Sequence, residues 1–186
     1  MTSRPAALLI LTITATAPST AWVLDYDGRS TNEIIWDKRI DRLIHTRVPA
    51  DLSTSVLEAL SGPPDPVVVA EHRYVSMSAC AAHACLTKGF FWIDTQSGIG
   101  LGAVAEVWSF QPHMLRLGSN ALSGRQFPAP AIGALTDWMS GQRIRPAVVE
   151  FVGRDGNVVP LDPANFPVPH KQPGSGFVTR VERGVS

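Results

Sequence analysis

Apolar residues recur at helical spacing in the first third of the chain. The stretch 30–44 opens with Ser30 and Glu33 in a capping-box arrangement, so the pattern predicts a helix there. A second, shorter helix is predicted over 50–60, because Pro49 precedes it and the Gly- and Pro-rich stretch 62–66 must end it. The apolar face of the first helix consists of Ile35, Trp36, Ile40, Leu43 and Ile44.

From Val67 onward the apolar pattern is typical of β-strands. Strands are predicted over 67–69, 73–77 continuing to 80, 89–94, 101–108 and 114–117. Connections this short cannot hold a parallel crossover, so consecutive strands are predicted to be antiparallel neighbours in a meander. The predicted strands carry several aromatic residues, which are most simply explained if both faces of this sheet are covered. These residues are Phe90, Phe91, Trp92 and Trp108.

The last third returns to a helix and then to a hairpin. Residues 130–141 begin with proline and end with glycine, which indicates a helix with Ile132, Leu135, Trp138 and Met139 on one face. Strands over 147–152 and 158–161 flank an Asp-Gly pair, a strong hairpin signal. The Pro-rich stretch 162–176 is typical of an irregular wrap or linker, and one last edge strand is predicted over 177–181. The predicted class is α+β, with a central antiparallel sheet flanked by a few helices.

The composition is consistent with one compact core and gives no reason to expect a nucleic-acid partner. The chain has 186 residues, of which 45% are hydrophobic and 17% charged. Its 16 basic and 16 acidic residues balance, and no dense basic run is present, so nucleic acid is not an expected partner.

The N-terminus has the three parts of a secretory signal: Arg4, an apolar run through Leu11, and small residues up to Ala21. We expect cleavage after Ala21, export to the periplasm, and no membrane span in the mature chain, because the apolar run is shorter than the roughly 20 residues that span a bilayer. Loss of Arg4 leaves the mature chain with one more acidic than basic residue.

Both cysteines of the chain lie in one short loop, Cys80-Ala-Ala-His-Ala-Cys85. An exported protein can keep a disulfide, so the two cysteines can form a disulfide that closes a turn and presents His83 to solvent or to a partner. A metal site would use Cys80, His83 and Cys85, but its fourth ligand is undefined. A redox pair normally has two residues between the cysteines, whereas four stand here. The spacing alone leaves these alternatives open.

Elsewhere no enzyme signature is found, and no cofactor or metal is expected. The scattered histidines are interpreted as exposed or singly hydrogen-bonded side chains, and Asp25 and Asp27 as solvated carboxylates. Ser97 precedes a glycine but lacks the context of a nucleophile elbow. These histidines are His45, His72, His113 and His170.

The segment Met77-Ser-Ala-Cys-Ala-Ala-His-Ala-Cys85 resembles the inhibitor of vertebrate lysozyme (Ivy) family, whose signature is of the type Met-Ser-Ala-Cys-Lys-Pro-His-Asp-Cys. The order of elements over about 43–142 is also similar. The resemblance implies a periplasmic protein, often a homodimer, with a sheet-plus-helices fold and a loop that plugs the active-site cleft of C-type lysozymes.

Carried onto this chain, the resemblance implies that a Cys80–Cys85 disulfide rigidifies the plug and that His83 reaches the two catalytic carboxylates of lysozyme. The family's lysine, proline and aspartate are replaced here by Ala81, Ala82 and Ala84, which we assign to the same partner-binding loop. The expected organisation is a signal peptide over 1–21, an Ivy-like inhibitor domain over 22–142 and a C-terminal extension over 143–186. The alternative is an envelope protein of the same fold that has lost inhibition and binds another partner.

Overall fold

A computed structural model describes residues 20–110, 112–124 and 126–166. The proposed leader up to residue 19, His170 and the predicted strand over 177–181 lie outside the described residues. The helices of the described part are α1 (Thr31–Ile34), α2 (Lys38–Arg47), α3 (Ala50–Ala59) and α4 (Ala129–Gly141), with short 3-10 helices at Ala21–Tyr26 and Pro163–Asn165. The strands are β1 (Val68–Ala70), β2 (Tyr74–Ala81), β3 (Ala84–Asp94), β4 (Gly100–Glu106), β5 (His113–Gly118), β6 (Pro146–Val152) and β7 (Val158–Leu161).

The seven strands form one sheet in the order in which they occur along the chain. Strands β1 to β5 are antiparallel neighbours, which confirms the predicted meander. Strands β5 and β6 are parallel, because α4 carries the chain back across the sheet between them. The protein is therefore an α+β protein with a mixed sheet, consistent with the predicted class.

Helices cover both faces of the sheet, so that each face has its own core. Phe91 and Ile93 belong to the cluster under α1, α2 and α3, whereas Phe90 and Trp92 belong to the cluster under α4. This division follows from the alternation of side chains along β3. Phe90, Phe91 and Trp92 behave as predicted, but Trp108 lies beyond the end of β4 and belongs to neither cluster.

The predicted helix over 30–44 is divided into α1 and α2. The side chain of Asp37 stands before α2 and accepts a hydrogen bond from the amide of Arg39 (2.8 Å), which starts a new helix there. The predicted capping box is wrong, because Ser30 makes no side-chain capping bond. Ser30 instead forms an isolated β-bridge with Pro66.

Residues 146–161 continue the main sheet. The hairpin of β6 and β7 is antiparallel, and Gly156 adopts φ +78° in its turn, as the Asp-Gly pair predicted. Phe151 of β6 is buried against Phe127, with 5.7 Å between ring centroids. The predicted boundary at residue 143 falls between α4 and a strand that pairs directly with β5. Among the described helices, none is long and apolar enough to cross a bilayer.

Candidate functional site

Cys80 and Cys85 form a disulfide across the end of the β2–β3 hairpin, with their Cα atoms 4.7 Å apart. Ala81 pairs with Ala84, so Ala82 and His83 form the turn itself. The disulfide interpretation of the cysteine loop is confirmed, and both thiols are consumed by it.

The hairpin register shifts just before the turn. Cys80 pairs with Lys88, whereas its neighbour Ala81 pairs with Ala84, so residues 85–87 form a bulge on β3. The bulge separates the environments of the two cysteines: Cys80 is buried and Cys85 is exposed. The disulfide therefore links the turn to the buried part of β2.

His83 lies at the apex of this hairpin and is exposed. Its φ of 61° is in the left-handed region, which non-glycine residues seldom adopt. Within the described ranges its imidazole has no hydrogen-bond or ion-pair partner. Ala82 and Ala84 are exposed beside it and Ala81 is half-buried, so the imidazole is the only polar side chain among residues 81–84.

The segment before β1 holds the base of the loop. The amide of Gly62 donates to the carbonyl of Cys80 (2.9 Å), and the amide of Cys80 donates to the carbonyl of Pro63 (3.1 Å). One residue further on, Pro64 and Ala79 form an isolated bridge. The Gly-Pro stretch that ends α3 thus also pairs with β2, on the same edge as β1 but nearer to the turn.

A chain of polar side chains ties the same region to α4. Asp65 accepts hydrogen bonds from the hydroxyl of Ser78 (2.6 Å) and from the side-chain amide nitrogen of Gln142 (2.9 Å). The side-chain carbonyl oxygen of Gln142 accepts a hydrogen bond from the ammonium group of Lys88 (3.0 Å). Strands β2 and β3 are therefore fixed to the end of α4 a short distance below the turn.

Exposed apolar side chains flank the loop on the β4 side. Leu86 is 42% exposed and its carbonyl accepts from the amide of Val107 (2.9 Å). The chain then continues to Trp108 and Phe110, whose rings are 5.9 Å apart, and Phe110 is 75% exposed. We call Leu86, Trp108 and Phe110 the apolar flank.

At the other end of the hairpin an ion pair closes β2 against β3. Arg73 donates to both carboxylate oxygens of Asp94, each at 2.7 Å, and Ser97 donates to one of them at 2.7 Å. Asp94 is buried, and hydrogen bonding from the Arg73 guanidinium, then from Ser97 and the amide of Gln96, holds the pKa of its carboxyl well below the ordinary value.

The remaining predicted candidates lie apart from the loop. His45 shares a hydrogen bond with Ser53 (2.8 Å), His113 accepts from the amide of Arg145 (3.1 Å), and His72 is exposed. Asp27 is exposed and accepts from the amide of Val69 (3.0 Å). In the part of the chain that the structure describes, no three His, Cys, Asp or Glu side chains are grouped to hold a metal ion.

Reasoning from sequence missed the residues that support and surround the turn. The sequence pattern predicts Gly62 only as a helix terminator and gives Leu86 and Phe110 no role. A Gly-Pro-Pro stretch beside a strand gives little sign of edge pairing. The exposure of Leu86 could have been suspected only from the bulge, which a pattern of alternation does not reveal.

No protein-family model, curated protein or solved structure matches this chain. The likeness to the Ivy family therefore rests on the motif over 77–85 and on the order of elements.

Proposed function

We propose that this protein is an exported inhibitor that inserts the disulfide-closed turn, with His83 at its apex, into the active-site cleft of a C-type lysozyme. The observation that carries the proposal is the state of His83: it is exposed at the tip of a covalently closed hairpin and has no partner in the described part of the chain. A polar side chain left free at such a place is available to bind another molecule.

The chemistry of imidazole suits a cleft that holds two catalytic carboxyl groups. A glycosidase of this kind keeps one carboxyl protonated and the other ionised. A neutral imidazole has one donor and one acceptor nitrogen, so it can bind both groups at once. Each hydrogen bond to a charged group contributes roughly 1.5 to 3 kcal/mol.

The supports of the turn reduce the entropic cost of binding. The disulfide, the Gly62–Cys80 hydrogen bond and the pairing of Pro64 with Ala79 fix the hairpin before any partner arrives. A loop that is already ordered loses less conformational freedom on association.

The decisive experiment is the inhibition of several purified C-type lysozymes by the full mature protein, compared with a His83→Asn variant. Asparagine is among the residues that tolerate a positive φ, so this substitution keeps the turn and removes the imidazole. We expect the parent to inhibit and the variant to lose at least about tenfold in affinity, the equivalent of one charged hydrogen bond. No inhibition of any C-type enzyme by the parent would reject the proposal.

A second function is favoured by the composition of the turn. Ala82 and Ala84 are exposed, and Leu86, two residues beyond Ala84, is 42% exposed, so the residues that flank His83 in the chain are largely apolar. Such a surface suits an envelope protein that has lost lysozyme inhibition and binds another protein partner. A pull-down with immobilised lysozyme that recovers none of the folded protein would favour this function over the first.

Export and self-association are parts of the same proposal. We expect the mature N-terminus at Trp22, in the periplasm, and a homodimer in solution. Cleavage after Ala21 would remove Thr20, whose hydroxyl donates to the carbonyl of Thr95 (2.9 Å). N-terminal sequencing of the periplasmic protein and its mass in solution check both expectations.

A further inference from the structure

A long groove lies between β2 and α4, on the face of the sheet opposite α1, α2 and α3. It encloses about 700 Å³, within the range of about 300–1,000 Å³ in which small-molecule sites fall. From β2 it is lined by Tyr74, Ser76 and Ser78, which alternate along the strand and so share one face. The groove is separate from the His83 turn, which does not line it.

The groove exists because the wall formed by α4 carries small residues. Gly133, Ala134 and Gly141 line it where longer side chains would close the gap to β2. A Cβ added at Gly133 would meet no heavy atom within 4 Å. The helix that forms this wall has 13 residues, so the wall is roughly 20 Å long.

Three carboxylates line the groove. Glu71 lies near Tyr74, Asp137 projects from α4, and Asp65 lies at the end next to Gln142. Among the described residues that line the groove, none is a lysine or an arginine.

The cations nearest to the groove are already engaged. Arg73 stacks over the ring of Tyr74 (5.0 Å to the centroid) but is paired with Asp94. Lys88 binds Gln142 at the end of the groove. Asp65 is engaged as well, by Ser78 and Gln142, so the charges that the groove offers a ligand are the carboxylates of Glu71 and Asp137, set among mostly apolar lining residues.

Two buried donors in the walls lack partners. The indole N–H groups of Trp92 and Trp138 are buried and make no hydrogen bond to the described part of the protein. Both residues line the groove, and they are only 1% and 7% exposed. Both nitrogens have essentially no accessible surface, so they lie beneath the walls of the groove and are not contact points for a ligand.

We propose that this groove binds a basic peptide segment in an extended conformation. Carboxylates spread along an elongated groove match a ligand with several cations, whereas a small cation would engage one carboxylate at a time. Main-chain carbonyls of a peptide can accept a hydrogen bond from the hydroxyl of Ser76, which is half-buried and lines the groove. The short side chains of the α4 wall leave room for the peptide backbone.

The test is fluorescence anisotropy of a labelled peptide of alternating lysine and alanine, titrated with the full mature protein at low salt. We expect saturable binding that weakens as salt screens the carboxylates, and no binding of the matching glutamate–alanine peptide. Asp137→Asn and Glu71→Gln should each weaken binding by up to about fivefold.

Gly133 offers a matched pair of variants. Gly133→Phe fills the groove and should abolish binding, whereas Gly133→Ala leaves it open and should bind like the parent. Both replace a glycine inside a helix, so both should fold at least as stably as the parent, which thermal unfolding checks. His83→Asn should leave peptide binding unchanged, which separates this site from the inhibitory turn.

Two results would overturn the inference. One is binding of the lysine–alanine peptide that Gly133→Phe does not reduce. The other is tighter binding of spermine, a polycation without carbonyl groups, than of the peptide.

Discussion

The amide nitrogen of Gly62 lies 2.9 Å from the carbonyl oxygen of Cys80, so close that no side chain fits between the two segments. A Cβ at position 62 would collide with that oxygen and would stand 2.7 Å from the carbonyl carbon of Ala81 and the amide nitrogen of Ala82. All three atoms belong to the backbone of the disulfide loop, which cannot rotate away as a side chain could. The glycine that follows α3 therefore sets the position of the turn that carries His83.

Gly62→Ala should displace the loop and lower stability. We expect a loss of about 1 to 3 kcal/mol, the usual cost of overpacking, together with weaker binding to lysozyme. Thermal unfolding and the inhibition assay measure the two effects. Gly133→Ala is the control, because its Cβ meets nothing within 4 Å and its stability should not fall. Equal stability of Gly62→Ala and the parent would show that the loop base is not tightly held.

Removal of the disulfide should loosen the turn more than the whole fold. The double variant Cys80→Ala and Cys85→Ala should lose roughly 2 kcal/mol, because the loop that the bond closes is short. Urea denaturation should show a lower midpoint, and the parent protein under reducing conditions should match the variant. An unchanged midpoint would mean that the surrounding hydrogen bonds already fix the hairpin.

The apolar flank should contribute to affinity for the protein partner but not to stability. Phe110→Ala and Leu86→Ala should each weaken inhibition by at least about fivefold, because apolar anchors beside a polar plug commonly supply binding energy. Val158→Ala is a matched control, since Val158 is 48% exposed on β7, the outermost strand on the far side of the sheet. A similar loss for all three variants would point to a general surface effect.

Stability should decline in acid partly through Asp94. The Arg73 guanidinium holds the pKa of the folded carboxyl below its ordinary value, so ionised Asp94 stabilises the fold above the unfolded pKa of about 3.9. This stabilisation is lost progressively as the pH falls below about 4 towards the folded pKa. Asp94→Asn should therefore cost about 2 kcal/mol at neutral pH and less in acid.

Chemical denaturation at several pH values measures this difference. Arg73→Gln is the companion variant: it removes the main cause of the low pKa, so it should be less stable than the parent at neutral pH and should lose less additional stability in acid. If the difference between the parent and Asp94→Asn did not narrow as the pH falls, the ion pair would not be the source of the acid sensitivity.

Local patterns predicted most elements but not how one of them would divide. The strand over 89–94 and the hairpin at the Asp-Gly pair each correspond to a local preference of the backbone, and both predictions are confirmed. The predicted helix over 30–44 is wrong in its interior, because the apolar spacing gives no sign of a break at Asp37. The Asp37 carboxylate caps α2 there and also accepts a hydrogen bond from the hydroxyl of Tyr26 (2.6 Å). The bond to Tyr26 depends on the path of the preceding chain.

The candidate site was predictable in its covalent part and not in its surroundings. Two cysteines with four residues between them can hardly avoid forming a small ring once oxidised, and the histidine between them must then be near its apex. The supports of that ring come from elsewhere in the chain, at Gly62 and Asp65, and from Gln142 at the end of α4. No local pattern relates residues that are so far apart in sequence.

The sequence by itself determined most of the helices and strands, the meander and the ring around His83, because each depends on residues within a few positions of one another. Only the tertiary structure decided that α4 would carry the chain to a parallel β6, that small residues on α4 would leave a groove along β2, and that Gly62 would lie against Cys80. These relationships depend on which side chains meet across the core, and those side chains come from residues that are far apart in the sequence.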